Sequence, residues 1–475
     1  MSLVINTNVS SLNAQNNLTK SQSALATATE RLSSGLKINS AKDNAAGFAI
    51  SQRYTTQIGG LNQASANASD AINLAQTTGS ALDQVTANLQ AIRDLAVQSA
   101  NGTYTDEDRS SIDQEVQQRL AEITRIANQT TFNGSKVLDG SLGTKSFQVG
   151  ADVGQTISVS LQTSVKTSDI GKVAEVSSGD ISSTFAGLTV DSANGSGLTV
   201  TVGASGTAVN VADGVYHSAS DLAAAINKAA GSDVASVNAS GELTVTASAS
   251  GITFGGNDAS TVGLTTIASG ASGVSTGVAD AVGDLSQEGF NINGTDIDLT
   301  GVSSLQDLSD AINAAGVDGV SVAVSADGKG LQFYSSGSLS ITDTGGNVIG
   351  DAAKDVNSGA AFSSGDTATV GGSLSGSNVK TVDSANDLIS RVDTALKTVS
   401  DFAAQLGAVQ NRFQSTISTV AAQTTNLQAS QSTIQDADFA AETAALSKAQ
   451  VLQQAGISVL AQANSNPQQV LKLLQ

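Results

Sequence analysis

The chain has 475 residues, no cysteine, one histidine, one proline and a net charge of −20. Without cysteine there is no disulfide framework and no thiolate metal site, and one histidine leaves almost nothing for a Ser-His-Asp triad or a multi-histidine zinc site. Residues 150–380 hold 23 acidic residues against six lysines, a net charge of −17, while all other residues together carry −3. So acidic a segment disfavours binding to nucleic acid or to an anionic membrane surface.

The first 40 residues predict one amphipathic helix, in which Leu18, Leu25 and Leu32 recur at sevenfold spacing until Gly35 interrupts the pattern. Such a helix is marginal alone in water, so we expect it to order only against other helices. The N-terminus has neither the basic nor the apolar stretch of a secretory signal peptide, and no apolar run of about 18 residues predicts a membrane span. The sequence therefore predicts a protein without membrane insertion that is cytosolic or leaves by a route that reads no cleavable signal.

Two long helical rods, one near each end, organise the chain. The first is predicted over residues 44–100, about 85 Å at 1.5 Å per residue, and every seventh residue in it is apolar: Tyr54, Leu61, Ala68, Ala75, Leu82, Leu89 and Ala96. The second rod ends near Ser430 and has the same heptad spacing: Val392, Val399, Leu406, Phe413, Val420 and Leu427. Such seams favour helices packed along each other, with the intervening residues as an insertion. The alternative is two unrelated helical domains.

The segment after the first rod predicts a shorter helix and a small β region. Thr105 is a candidate N-cap, followed by three acidic residues that suit a helix N-terminus, and the apolar periodicity ends near Asn128. Asn133-Gly134 is a hairpin signal. Alternating residues then predict strands at 147–149 and 156–161.

The middle of the chain is rich in Gly, Ser, Thr, Val and Asp and contains an internal repeat. Residues 221–227 and 307–313 both read Asp-Leu-x-x-Ala-Ile-Asn, 86 positions apart. Short alternating runs surround each copy, including residues 198–202, 243–246 and 331–334. We predict two α+β modules, 169–285 and 286–380, each with a short helix on a small antiparallel sheet.

A last amphipathic helix is predicted from about Asp436 to Ala463, with Leu446, Val459 and Leu460 on it and the single proline, Pro467, after it. The tail that follows is apolar and includes Leu471 and Leu474. Contiguous apolar surface of this kind indicates an interface.

Several strings near the two ends of the chain are long and specific: INTN at 5–8, ERLSSGLKINSAKDNAAG at 30–47, LAVQSANG at 95–102, FNG at 132–134, IQDADFA at 434–440 and QQVL at 468–471. Through these strings both ends of the chain resemble bacterial flagellin, the subunit of the flagellar filament. The resemblance covers roughly residues 1–165 and 383–475.

The resemblance implies a multidomain fold: a long antiparallel α-helical coiled coil or bundle formed by both termini, with an inserted β-rich α+β middle region. Residues 1–43 and 431–475 would form the inner filament tube, with assembly contacts through Leu18, Leu25, Leu32, Leu446, Val459, Leu460, Leu471 and Leu474. Residues 44–168 and 381–430, with a small β-hairpin region, would form the outer tube. Residues 169–285 and 286–380 would project as outer modules.

The function implied is that of a structural subunit which polymerises with itself for motility, without enzymatic activity or cofactor. The resemblance further implies export as an unfolded chain through the flagellar type III apparatus. Its expected partners are an export chaperone and the filament cap and hook-junction proteins. The expected location is extracellular, in the flagellum.

One motif on the first rod departs from the family. Flagellins sensed by the flagellin-specific Toll-like receptor read Gln-Arg-(Val/Ile)-Arg-(Asp/Glu)-Leu there, whereas residues 90–95 of this chain read Gln-Ala-Ile-Arg-Asp-Leu, with Ala91 in place of the first arginine. The resemblance implies a subunit or receptor interface made by Gln90, Arg93, Leu95 and Glu115.

Other functions fit the sequence less well. A metalloprotease needs His-Glu-x-x-His, and His217 is the single histidine. The Asp-Gly loop at 327–330 lacks the ligand spacing of an EF-hand, so turn chemistry explains it. Two alternatives remain open: a hook-filament junction protein, which also has flagellin-like ends, and a filament subunit whose acidic outer region also acts as an adhesin.

Overall fold

A computed structural model describes residues 7–193, 197–238, 242–247, 249–275, 278, 282–283, 285 and 288–473, with only the helical backbone for 466–473. Its contacts divide the chain into two units. The first comprises Met1–Gln76, Thr144–Ser160 and Leu406–Gln475, and the second comprises Thr77–Gly143 and Leu161–Gln405. Both long helices contribute residues to both units.

The helices of the described residues are α1 (Val9–Ser34), α2 (Ala45–Ala100), α3 (Asp106–Gln129), α4 (Ala219–Ala230), α5 (Asn257–Thr261), α6 (Leu305–Ala314), α7 (Val382–Gln435) and α8 (Phe439–Leu473), with a short 3₁₀ helix at Ser182–Phe185. Those that the sequence predicts occur in the predicted order, while α5 was not predicted. Within the described residues, no helix is long and apolar enough to cross a membrane.

In the first unit, α1 lies along α8, and a short connection joins each of them to its neighbouring rod, α2 or α7. Gly35 ends α1 in the left-handed conformation, φ 73°, which glycine adopts without steric cost. Leu36 then forms a β-bridge with Asp436, and Lys37 donates its N–H to the carbonyl of Gln435. The turns that follow α1 and α7 are thereby joined.

The helical seams of the first unit are buried along most of their length, while the outermost predicted seam residues, Tyr54 and Leu427, are half-buried. Leu61, Ala68 and Ala75 of α2 are at most 5% exposed, and so are Phe413 and Val420 of α7. The Gln431 side chain of α7 donates to Thr55 Oγ1 at 2.7 Å.

In the second unit the seams of α2 and α7 are again buried, and this unit also contains α3. The seam residues Leu82, Leu89 and Ala96 of α2, and Val392 and Val399 of α7, are fully buried. A capping box begins α3, because Thr105 and Asp108 each bond the other's backbone N–H.

The strands are short. They are β1 (Thr131–Phe132), β2 (Ser135–Lys136), β3 (Gly143–Gln148), β4 (Thr156–Leu161), β5 (Ala174–Ser177), β6 (Leu188–Val190), β7 (Thr199–Val202), β8 (Val209–Asn210), β9 (Gly214–Tyr216), β10 (Ala235–Val237), β11 (Leu243–Thr246), β12 (Ile252–Gly255), β13 (Ser272–Ser275), β14 (Phe290–Ile292), β15 (Thr295–Asp296), β16 (Val320–Val324), β17 (Leu331–Ser335), β18 (Leu339–Asp343), β19 (Lys354–Asp355) and β20 (Thr367–Ala368). The hairpin β1–β2 turns at Asn133 and Gly134, both with positive φ, as its sequence predicts.

Two hydrophobic cores form the inserted region. The first contains α4 and the antiparallel sheets β10-β11-β13, β12-β7-β8 and β6-β9. The second contains α6 and the sheets β15-β14-β18-β20 and β16-β17-β5-β19. The long terminal helices with an inserted β-rich region are the fold class expected from the sequence.

The predicted boundaries of the two modules need correction. β5 lies in the range assigned to the first module, 169–285, but it pairs with β17 and β19 of the second. Ala174 and Val176 belong to the second core, and so does Leu285, whereas the first core begins at Leu188. Local alternation in a sequence reveals a strand but not which distant strand it pairs with, so the error arises there.

The repeated Asp-Leu-x-x-Ala-Ile-Asn motif forms helices α4 and α6, and its last residue binds the next strand. Asn227 Oδ1 accepts from the backbone N–H of Val234 and of Ala235, at 2.7 and 2.6 Å. Asn313 Oδ1 accepts from Val322 N–H at 2.9 Å, and its amide donates to the Val322 carbonyl at 2.8 Å. The motif thus fixes a helix to a strand edge in both modules.

The last two helices are longer than predicted. α7 continues to Gln435 rather than ending near Ser430, and α8 continues through Pro467 to Leu473 rather than ending before the proline. Proline removes the helical hydrogen bond to the carbonyl four residues earlier, here that of Ala463. The side-chain amide of Asn8 donates to that carbonyl at 2.8 Å. Since the freed acceptor is satisfied, the helix need not end there.

Candidate assembly surface

The pair α1 and α8 is held together by small side chains. Ala14 and Ala28 of α1 and Ala449 and Ala463 of α8 are at most 9% exposed. The predicted assembly leucines are half-buried beside this stripe: Leu18, Leu25, Leu32, Leu446 and Leu460. The narrow contact buries little apolar area, so each helix keeps apolar surface in water.

That remaining surface is extensive and apolar. Among the described side chains of α1 and α8, seven large apolar ones are between 49% and 64% exposed: Val9, Leu12, Phe439, Val451, Leu452, Ile457 and Val459. Val459 was predicted as an assembly residue, while Phe439 and Ile457 were not singled out. Leu471 and Leu474 lie outside the residues whose side chains are described. Large apolar side chains left this exposed on two paired helices are typical of a protein interface.

Polar contacts fix the register of the two helices. Asn8 caps α1 through its Oδ1 and bonds the Ala463 carbonyl through its amide. Ser11 donates to Asn464 Oδ1 at 2.7 Å, and Arg31 lies 3.8 Å from Glu442 at the other end. Because these contacts occur at both ends, the exposed residues keep a fixed arrangement.

The second predicted interface lies on the helices of the second unit. Gln90 is exposed and Leu95 is half-buried on α2. Arg93 donates to Asp393 of α7 through Nε at 2.6 Å and through Nη2 at 3.4 Å. The hydrogen bonds and charge of Asp393 raise the pKa of Arg93. The arginine side chain is still 42% exposed, so it remains accessible to a partner.

Glu115, the fourth residue of this predicted interface, has a different partner. Its carboxylate accepts from Arg119 on the same helix at 2.7 Å, and it lines a polar groove that also includes Asn88, Ser111 and Glu122. Arg93 and Glu115 therefore bond different partners and not each other. The sequence analysis missed Asp393, for which the one available signal was a charged residue beside the seam position Val392.

Long terminal helices that bury small side chains against each other and leave large apolar side chains exposed are typical of one class of protein, the self-associating structural subunit. Comparison with protein-family models places a match to the N-terminal helical region of bacterial flagellin over residues 5–142. A second match, to the C-terminal helical region of bacterial flagellin, covers residues 389–474.

Full-length relatives agree with these matches. The chain is 39% identical to B-type flagellin of Pseudomonas aeruginosa, 37% to flagellin of Salmonella typhimurium and 38% to flagellin of Escherichia coli, covering 100% of both chains each time. The chain belongs to the bacterial flagellin family. It is a structural subunit that polymerises into the extracellular flagellar filament, the organelle of motility.

Among solved structures, FliC from Burkholderia pseudomallei shares 24% identity with the chain, covering 72% of it and 99% of that protein, with a TM-score of 0.31. A flagellar hook associated protein-3 from Legionella pneumophila shares 15%, covering 80% and 97%, with a TM-score of 0.35. The similar flagellins are structural proteins. The described residues contain no group of three or more His, Cys, Asp or Glu that could hold a metal ion.

Proposed function

We propose that the exposed apolar face of α1 and α8 is the surface through which subunits join in the filament. In this arrangement residues 1–43 and 431–475 form the inner tube, and residues 44–168 and 381–430 form the outer tube around it. The observation that carries the proposal is the exposure, 49% or more, of seven large apolar side chains among those described on these two helices. Burial in a polymer would remove that area from water.

The same surface supports a proposal for the path by which the subunit reaches the filament. The chain would cross the cell envelope unfolded through the flagellar type III apparatus, with a cytosolic chaperone covering the apolar face of α8 before export. Filament cap and hook-junction proteins would meet it at the two ends of the polymer. Deleting residues 436–475 should abolish capture of the chain by the purified chaperone, and undiminished capture would contradict this role.

The polymerisation surface is tested by point variants that leave the α1–α8 contact unchanged. Val451→Ser and Val459→Ser remove exposed apolar area, and Ser458→Ala is the matched control on the same helix. Both valine variants should fold as the unmodified monomer does by circular dichroism. They should extend filament seeds much more slowly in light scattering, with shorter tubes in electron microscopy. Normal growth of both variants would exclude this face as the subunit contact.

A receptor role for the second interface is a separate proposal. Gln90, Arg93, Leu95 and Glu115 would form the contact with the flagellin-sensing Toll-like receptor in the free monomer. Their accessibility supports this: Gln90 is exposed, and the Arg93 and Glu115 side chains are 42% and 50% exposed. Its test is the substitution at position 91 described in the Discussion.

A further inference from the structure

A buried arginine lies where the inserted region meets α7. Arg391 is 6% exposed, and its Nε donates to both carboxylate oxygens of Asp387, one helical turn earlier, at 2.6 and 2.8 Å. Its Nη2 donates to Glu175 Oε2 of β5 at 3.1 Å. One guanidinium therefore joins the buried carboxyl group of Glu175 to that of Asp387, which is 19% exposed, on a different element.

The remaining guanidinium nitrogen reaches the backbone of both connecting segments. Nη1 donates to the carbonyl of Gly371 at 3.2 Å and to that of Gly171 at 3.5 Å. Residue 171 precedes the inserted modules and residue 371 follows them. Between the same two segments, Val173 and Gly371 exchange both backbone hydrogen bonds, at 3.2 and 3.0 Å.

Two glycines of this region lie so close to Arg391 that a side chain at either position would collide with it. A Cβ at Gly372 would overlap Nη1, and a Cβ at Gly171 would lie 2.9 Å from the Arg391 carbonyl oxygen. Both glycines also have positive φ, 61° and 72°. Because side chains are excluded on both steric and conformational grounds, the backbone can approach the guanidinium closely.

We propose that Arg391 is a clamp that fastens both connecting segments of the inserted region to α7, and that a proton shared by Glu175 and Asp387 sets how firmly it holds. With one carboxyl protonated, the cluster has one positive and one negative charge. With both ionised, it carries an unbalanced negative charge in a buried place, which is costly.

The protonation of the cluster changes near neutral pH. Burial and the negative charge of Asp387 together raise the pKa of Glu175 to about 7, against the opposing pull of Arg391. Burial also raises the pKa of Asp387, again against the pull of Arg391.

The other groups near Glu175 do not neutralise it. Tyr334 of β17 is the residue opposite Glu175 in the sheet, and it is buried and uncharged. On β19, the other neighbour of β5, Lys354 is exposed and Asp355 accepts from the backbone N–H of Asn357. Asp383 of α7 accepts from the backbone of Ala326. Arg391 is therefore the counter-charge that the cluster contacts.

The direction of the pH effect follows from the raised pKa. A carboxyl group with a folded-state pKa above its unfolded value binds more protons when folded, so its contribution to stability declines as pH rises between the two values. For Glu175 that window runs from its ordinary value of 4.5 to about 7. The clamp should hold firmly at pH 5.5 and loosen by pH 8.5.

Amide hydrogen exchange of the full-length monomer tests the clamp. After correction for intrinsic rates, peptides containing the Val173 and Gly371 amides should lose about tenfold or more in protection between pH 5.5 and 8.5. Glu175→Gln keeps an acceptor for Arg391 but cannot titrate, so its protection should be nearly constant. The control Glu107→Gln, at an exposed position of α3, should behave as the unmodified chain does.

A second variant tests the clamp independently of pH. Arg391→Met should lose protection in both connecting segments at both pH values, while the peptides of α3 stay protected. Retained protection at pH 5.5 in Arg391→Met would overturn the clamp. An unchanged pH dependence in Glu175→Gln would overturn the role of the shared proton, and that conservative variant keeps the test valid if Arg391→Met fails to fold.

Discussion

The side-chain amide of Asn8 bonds the carbonyl of Ala463, which is the backbone acceptor that Pro467 leaves without a helical donor. The Oδ1 atom of the same asparagine accepts from Ser11 N–H and caps α1. One residue therefore stabilises the beginning of α1 and the proline-containing end of α8.

These two roles can be separated by substitution. Asn8→Asp keeps a capping acceptor but loses the amide donor, whereas Asn8→Ala loses both. We expect both variants to lose amide-exchange protection near Ala463, and only Asn8→Ala to lose it in the first turn of α1, by about 1 kcal/mol. Ser10→Ala is the exposed control. Full protection near Ala463 in Asn8→Asp would show that the proline does not depend on this bond.

The heptad seams predict a second set of effects. The ring of Phe413 meets that of Phe147 edge to face, with centroids 5.8 Å apart, and Leu89 is fully buried in the other unit. Phe413→Ala and Leu89→Ala should each lower the free energy of unfolding of the monomer by about 2–5 kcal/mol. The exposed neighbour Gln90→Ala should change it by well under 1 kcal/mol. Urea unfolding measures all three, and equal losses would contradict the seam assignment.

The asparagine at the end of each repeat motif should matter more than its polar character suggests. Asn227→Ala would leave the N–H groups of Val234 and Ala235 without their side-chain acceptor. The free energy of unfolding should fall by about 1–3 kcal/mol. The measurement is denaturant unfolding, monitored by the near-ultraviolet circular dichroism of tyrosine. Lys228→Ala, exposed on the same helix, is the control. If the two variants unfold at the same denaturant concentration, the asparagine side chain does not stabilise the contact between the helix and the strand.

Position 91 tests the proposed receptor contact. An arginine supplies several charge-assisted hydrogen bonds that Ala91 cannot, and interface arginines are often worth about 2 kcal/mol, roughly thirtyfold in affinity. Monomeric Ala91→Arg should therefore bind the receptor more tightly than the unmodified chain in a titration. Ala87→Arg adds the same charge one turn earlier and should not. No gain from the first substitution, or an equal gain from both, would mean that the motif does not make this contact.

The features that could be predicted from the sequence are those whose interacting residues lie close together along the chain. The range 44–100 matches α2 within one residue because heptad spacing and end signals are encoded along the helix itself. The N-cap at Thr105 could be predicted for the same reason, because its partner Asp108 is only three residues away. The repeated motif likewise identified both short helices.

The features that were missed depend on residues distant in the sequence. β5 pairs with a strand more than 150 positions later, Arg93 bonds a residue 300 positions away, and α8 continues past its proline because of Asn8. No single-sequence pattern contains such pairings. The two terminal helices were predicted, although the end of α8 was not. Their exposed side chains were only partly predicted, because exposure depends on which side the partner helix covers.

The reciprocal backbone bonds between Val173 and Gly371 bring the two ends of the inserted region within one strand spacing of each other, about 5 Å. Any folded domain whose termini are similarly close could replace the inserted region without distorting the helices to which it is connected. An exchange of the inserted region between these two segments would therefore leave the spacing of those helices unchanged. A designer could use the same junction to display an enzyme or an epitope at regular intervals along a tube.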